Sequence, residues 1–111
     1  MKQNTPVDAF LTSSLGKFNK KLASQLGLIH SVVFTNFCLI AVRNNNLFPY
    51  LIPDIAKDAF IHVQTATKAV GILVEEGFIK RKRRGIPSKV WYSINEERLE
   101  EFMLFNIKED K

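Results

Sequence analysis

Residues 28–42 read LIHSVVFTNFCLIAV, a run whose polar members are His30, Ser31, Thr35 and Asn36. It is shorter and more polar than a membrane span, which needs about 20 mostly apolar residues. Its spacing predicts a helix over 29–43, where Val32, Val33, Phe34, Phe37, Cys38, Leu39, Ile40, Ala41 and Val42 leave little polar face. A helix apolar nearly all round must be covered on several sides. The chain has 111 residues, which is one domain's worth, so few other elements can supply that cover. A second subunit is therefore expected to supply part of it.

The remaining elements follow from periodicity and punctuation. Residues 1–14 carry few signals and are expected to form a flexible or extended arm. Leu15, Phe18, Leu22 and Leu26 repeat at helical spacing, and Gly27 stops that helix. RNNN at 43–46 reads as a turn, and LFPYLI at 47–52 as a short edge strand that tolerates Pro49. Pro53 and Asp54 suit the first turn of a short helix. After a turn at Ile61-His62, a helix over 63–77 turns Ala66, Ala69, Val70 and Leu73 inward and ends on Gly77. Ile72 and Val74 fall on its outer side in this pattern.

The next stretch concentrates charge. Residues 77–95 hold six basic residues and no acidic one, while the whole chain carries +5. FIKRKRR and KVWYSI read as two strands around GIPS, the second supported by Val90, Trp91, Tyr92 and Ile94. Asn95 then caps a helix whose Leu99, Phe102, Met103 and Phe105 share a side. Two helices joined by a tight turn suggest a helix-turn-helix, here at about 53–76. A hairpin directly after them, at about 78–94, is the wing of a winged helix. The fold class expected is therefore mainly α with a small β-hairpin (α+β). It is one winged helix-turn-helix domain over 15–107 with extra N- and C-terminal helices, the last at about 96–105, and a tail at 108–111.

TATKAVGILVEEGFIKRKRRGIPSKVWYSI resembles the second half of a winged-helix domain, with LVEEGFI as the helix end and strand start. That resemblance covers about 50–97. It is specific for the fold and silent on the role, since repressors and replication proteins share it. NKKLASQLGLIHSVVFTNF, followed by GFIKRKR and KVWYSINEERLEEF, is similar to a narrower group. These are the N-terminal domains of replisome-organiser and replication-initiator proteins from phages and plasmids of low-GC Gram-positive bacteria. The matching positions are Leu26-Gly27-Leu28, Glu76-Gly77-Phe78-Ile79 and Trp91-Tyr92-Ser93-Ile94-Asn95. Many members carry a longer segment where this chain has Ala41–Phe48, and they usually continue into a second domain that engages replisome parts. A free-standing module, an isolated domain and a small regulator all stay open.

Five consecutive basic residues repel one another, so an anionic partner is expected for Lys80–Arg84. Arg83, Arg84 and Lys89 near the hairpin tip, then Arg81 and Lys82, are the expected phosphate contacts. Strand alternation prevents all of them from sharing one face. On the helix before them, His62, Gln64, Thr65, Thr67 and Lys68 are the expected groove contacts. Gln and Lys can meet purine edges, and Thr can meet a phosphate or a thymine methyl. That helix has one basic residue, so affinity is expected to come mainly from the wing. Lys17, Lys20 and Lys21 form a second basic face, read equally well as solvated surface or as backbone contact.

Double-stranded DNA is thus the expected partner, in replication, transfer or transcriptional control of a mobile element. Other replisome or mobile-element proteins are possible further partners. The alternatives are a protein-interaction module docking an acidic partner, or a chromosomal repressor. A homodimer is expected through Phe34, Phe37, Leu99, Phe102 and Met103. The sequence has no Gly-rich phosphate loop, nucleophile motif or HExxH, so no catalytic residue and no cofactor is expected. His30, His62 and the single Cys38 are too few and too scattered for a metal site. One cysteine and no signal-like N-terminus suit a soluble cytoplasmic protein.

Overall fold

The computed structural model describes residues 5–13, 16–87 and 89–109, with side chains through 106. In chain order the elements are α1 (Pro6–Thr12), α2 (Lys17–Leu26), α3 (Leu28–Arg43), β1 (Phe48–Pro49), α4 (Ile52–Ala59), α5 (Val63–Glu75), β2 (Ile79–Arg84), β3 (Lys89–Ile94) and α6 (Glu96–Glu109). The strands form one antiparallel sheet in the order β1-β3-β2. The molecule is mainly helical with a small sheet, as expected. Leu15 lies outside the described residues.

The apolar run becomes the central helix. α3 packs against α1, α2, α4, α5 and β3. Val33, Phe34, Phe37 and Cys38 are fully buried along it. Two of its polar residues, Ser31 and Thr35, meet Asn19 of α2. The Ser31 hydroxyl donates to the Asn19 carbonyl at 3.1 Å and also meets Asn19 Oδ1, while Asn19 Nδ2 donates to Thr35 Oγ1 at 2.8 Å. Buried polar groups are tolerated when paired in this way.

Four expectations are corrected. The stretch expected as an arm contains α1. Thr5 and Asp8 form a capping box around Pro6, and Val7 and Phe10 are each 2% exposed. Phe10 meets Phe34 edge-on at 5.2 Å between ring centroids. The burial of two large side chains holds a helix of only seven residues that would not persist alone. The five residues expected at a dimer interface instead belong to the core of the single chain. Phe34, Phe37 and Leu99 are fully buried, and Phe102 and Met103 are 3% and 6% exposed. Phe78 bridges Phe34 and Phe102 at 5.5 Å from each, and Phe37 packs on Phe48, Tyr50 and Tyr92. α1 and α6, which pack on each other, supply cover that a second subunit was expected to provide. Phe105 does not share their side of α6; it is 57% exposed. α6 also continues to Glu109, past the expected end and into the expected tail.

The turn after α3 is built by asparagines. Asn45 and Asn46 both have positive φ, at 54° and 60°. The Asn46 N–H donates to the Ala41 carbonyl at 2.8 Å, closing the helix end. The Asn46 side chain then acts as an extra sheet residue. Its amide donates to the Ile94 carbonyl at 2.9 Å and its Oδ1 accepts from the Ile94 N–H at 2.6 Å. β1 pairs Phe48 with Tyr92, so the amide stands where the next register pair, 46 with 94, would fall. This joins the end of α3 to the last residue of the hairpin.

Candidate nucleic-acid interface

α4 and α5 are joined by a turn at Phe60–His62. The Phe60 N–H donates to the Lys57 carbonyl and the Ile61 N–H to the Ala56 carbonyl, a Schellman ending. The position that usually holds Gly is Phe60, with φ 58°. His62 caps α5 through its backbone, its carbonyl accepting from Ala66 at 2.9 Å. Ala66, Ala69, Val70 and Leu73 are buried as expected. The other end of α5 repeats the Schellman ending with Gly77 at φ 83°. Arg98 seals it by donating from Nε to the Glu76 carbonyl at 3.0 Å while lying over Phe78.

The residues expected to meet DNA are at the surface. His62, Gln64, Thr67 and Lys68 are exposed, and Thr65 is half-buried. Thr67 Oγ1 donates to the Val63 carbonyl at 2.9 Å, which fixes its rotamer. Arg81, Lys82, Arg83, Arg84 and Lys89 are all exposed. Ile72 and Val74 are half-buried rather than fully outward.

The hairpin register sorts the cations into two rows. Arg81 and Arg83 pair with Tyr92 and Val90, on the face that continues the buried Ile79 and Ile94. Lys80, Lys82 and Arg84 pair with Ser93, Trp91 and Lys89 on the other face. Arg84 lies over the Trp91 ring at 5.4 Å, so the outer row is partly held by an aromatic platform. A cleft between the helices and the hairpin is lined by Ile52, Thr67, Arg81, Lys82, Arg83, Val90 and Tyr92. A second, shallower groove runs along α5 past Lys68, Gly71 and Ile72, and again reaches Arg81. Arg81 thus joins the exposed side of α5 to the basic hairpin. The Tyr92 phenol at the floor of the cleft is pushed up by burial, an effect the Arg81 and Arg83 guanidinium groups partly oppose.

Lys17, Lys20 and Lys21 lie on α2, outside both clefts; Lys17 rests over the Phe18 ring at 5.8 Å. Sequence reasoning missed three features of the α4–α5 segment. Phe60 is 94% exposed and Val63 is 48% exposed. Gly71 lies within the continuous helix α5, with nothing within 4 Å of where a Cβ would stand. A Gly inside a good helical pattern was the one readable signal; an exposed Phe in a left-handed cap has no sequence signature. Among the described residues, no helix is long and apolar enough to cross a membrane. Comparison with family models, with curated proteins and with solved structures finds no match.

Proposed function

We propose that the chain is a winged-helix protein that binds double-stranded DNA without catalysing a reaction. In this reading α5 enters the major groove and the β2–β3 wing lies along the adjacent backbone. The observation that carries it is the convergence of Thr67 on α5 with Arg81, Lys82 and Arg83 on the wing around one cleft. A helix face with a single cation, Lys68, beside a dense cation strip is a pairing that suits groove reading with phosphate neutralisation. Replication or transfer of a plasmid or phage, or its transcriptional control, in the cytoplasm, is the role supported by the sequence resemblance. Self-association as a homodimer would use the exposed stripe of Leu28, Val32 and Leu39 on α3 rather than the buried residues first expected.

The test is fluorescence anisotropy with a duplex of about 30 base pairs across a salt series. The affinity is expected to fall steeply with salt, and Arg83→Ala/Arg84→Ala/Lys89→Ala to flatten the log–log slope by about 3, near 0.9 per phosphate contact. No binding at low salt, or an unchanged slope in the triple variant, would refute the assignment.

A further inference from the structure

The turn between α4 and α5 ends in two choices that the fold itself does not reward. Phe60 occupies a left-handed backbone position, φ 58°, ψ 45°, as the Schellman residue of α4. Left-handed backbone is unfavourable for L side chains by roughly 1–2 kcal/mol, and Gly is the ordinary solution. Its ring returns nothing to the core, since 94% of the residue is exposed. Three residues on, Val63 opens α5 at 48% exposure, where a polar residue would be better hydrated. Strain that the surroundings do not repay points to a role outside the folded chain. The placement is specific too: both residues flank His62, at the N-terminal end of α5.

We infer that Phe60 and Val63 form an apolar reading tip that recognises thymine through its C5-methyl group in the major groove. This deepens the duplex-DNA reading and rests on it. The N-terminal end of a recognition helix is the part that meets base edges. Thymine alone presents a methyl there, and apolar side chains are the groups that read it. α5 carries one cation, Lys68, and no Arg, so bidentate guanine recognition by Arg is not available to it. An apolar tip supplies base selectivity, while Arg81–Arg84 and Lys89 supply charge that is blind to sequence. A protein partner gripping the same tip is the competing occupant; Asp54 and Asp58 are exposed on α4 before it, but the hairpin after α5 carries six cations and no acidic residue, which favours the polyanion.

The test uses duplexes that the full chain itself selects from a random 30-base-pair library. Each selected duplex is remade with deoxyuridine in place of thymidine, which removes the methyl and leaves every hydrogen-bonding group. Binding is expected to weaken about fourfold for each contacted methyl, the transfer free energy of one methylene-sized group. Phe60→Gly should erase most of that difference while raising Tm, because Gly suits the backbone there. Val63→Ala, at an ordinary helical position, should reduce the difference without the gain in Tm. Equal affinity for thymine and uracil duplexes, a preference that survives Phe60→Gly, or failure to enrich any sequence from a pool that nevertheless binds, would overturn the inference alone. No binding to any duplex would overturn the DNA reading and this inference together.

Discussion

Asn46 offers the sharpest check on how the fold is held, because two of its contributions can be separated. Its neighbour Asn45 has nearly the same backbone, φ 54° against 60°, but is exposed. Asn45→Ala therefore measures the cost of replacing Asn in the left-handed region, about 1 kcal/mol. Asn46→Ala carries that cost and also strips both partners from Ile94, whose N–H and carbonyl are met by the Asn46 amide. Unpaired backbone groups cost about 1–3 kcal/mol each when buried. The site is only half-buried, so water recovers part of this and about 2 kcal/mol is expected for the pair. The total for Asn46→Ala is then about 3 kcal/mol. At ~4–8 °C per kcal/mol this lowers Tm by about 15 °C. Asn46→Gly keeps the favoured backbone and should fall between the two, near 2 kcal/mol. Urea titrations with a shared m-value give the three differences directly. If Asn46→Ala is no worse than Asn45→Ala, the amide contributes nothing as a sheet residue and the reasoning fails.

Gly71→Ala should stabilise the protein by about 1 kcal/mol, since a Cβ there meets nothing within 4 Å and Ala is the better helix former. Thermal melts should rise by about 4–8 °C, while duplex affinity should fall if DNA comes close to that side of α5; a lower Tm would contradict the open site. Stability should also decline above about pH 9. Burial pushes the Cys38 thiol and the Tyr50 and Tyr92 phenols up, with the Tyr50 hydroxyl also donating to Asp58. The native state keeps these protons after the unfolded chain has released them, so the stabilising contribution is full below the unfolded values and is lost as pH rises. Each group that stays protonated in the native state while ionised in the unfolded chain adds up to about 1.4 kcal/mol per pH unit to this decline, and equal urea midpoints at pH 8 and pH 10.5 would exclude it.

Much of the fold was legible because local and global signals agree. Gly27 and Gly77 end helices where the apolar pattern ends, and α5 buries the four residues its periodicity selects. The hairpin was readable from the β-branched and aromatic residues of β3 after the Gly85-Ile86-Pro87 turn. The misreadings share a physical origin. Burial of α3 looked insufficient because α1 was not counted, although Thr5, Pro6 and Asp8 already spell a helix start. Once α1 and α6 are in place, Phe34, Phe37, Leu99, Phe102 and Met103 need no second chain. The cations were found by composition, yet their division into two rows depends on register, which single-sequence patterns fix poorly.

Two positions on the α4–α5 segment break local rules without an internal reward. Phe60 sits in a glycine conformation, and Gly71 places a weak helix former inside α5 where a Cβ would meet nothing. By contrast, the positive φ of Asn46 is repaid by its bonds to Ile94, and the buried Ser31 by its bonds to Asn19. Sequences depart from local consistency mainly where function requires it. Phe60 and Gly71 contribute no charge, so they point to the α4–α5 segment independently of the basic wing. On the proposed reading, cations, an apolar tip and an open stretch of helix serve one DNA groove together, whereas an acidic peptide would need only the first.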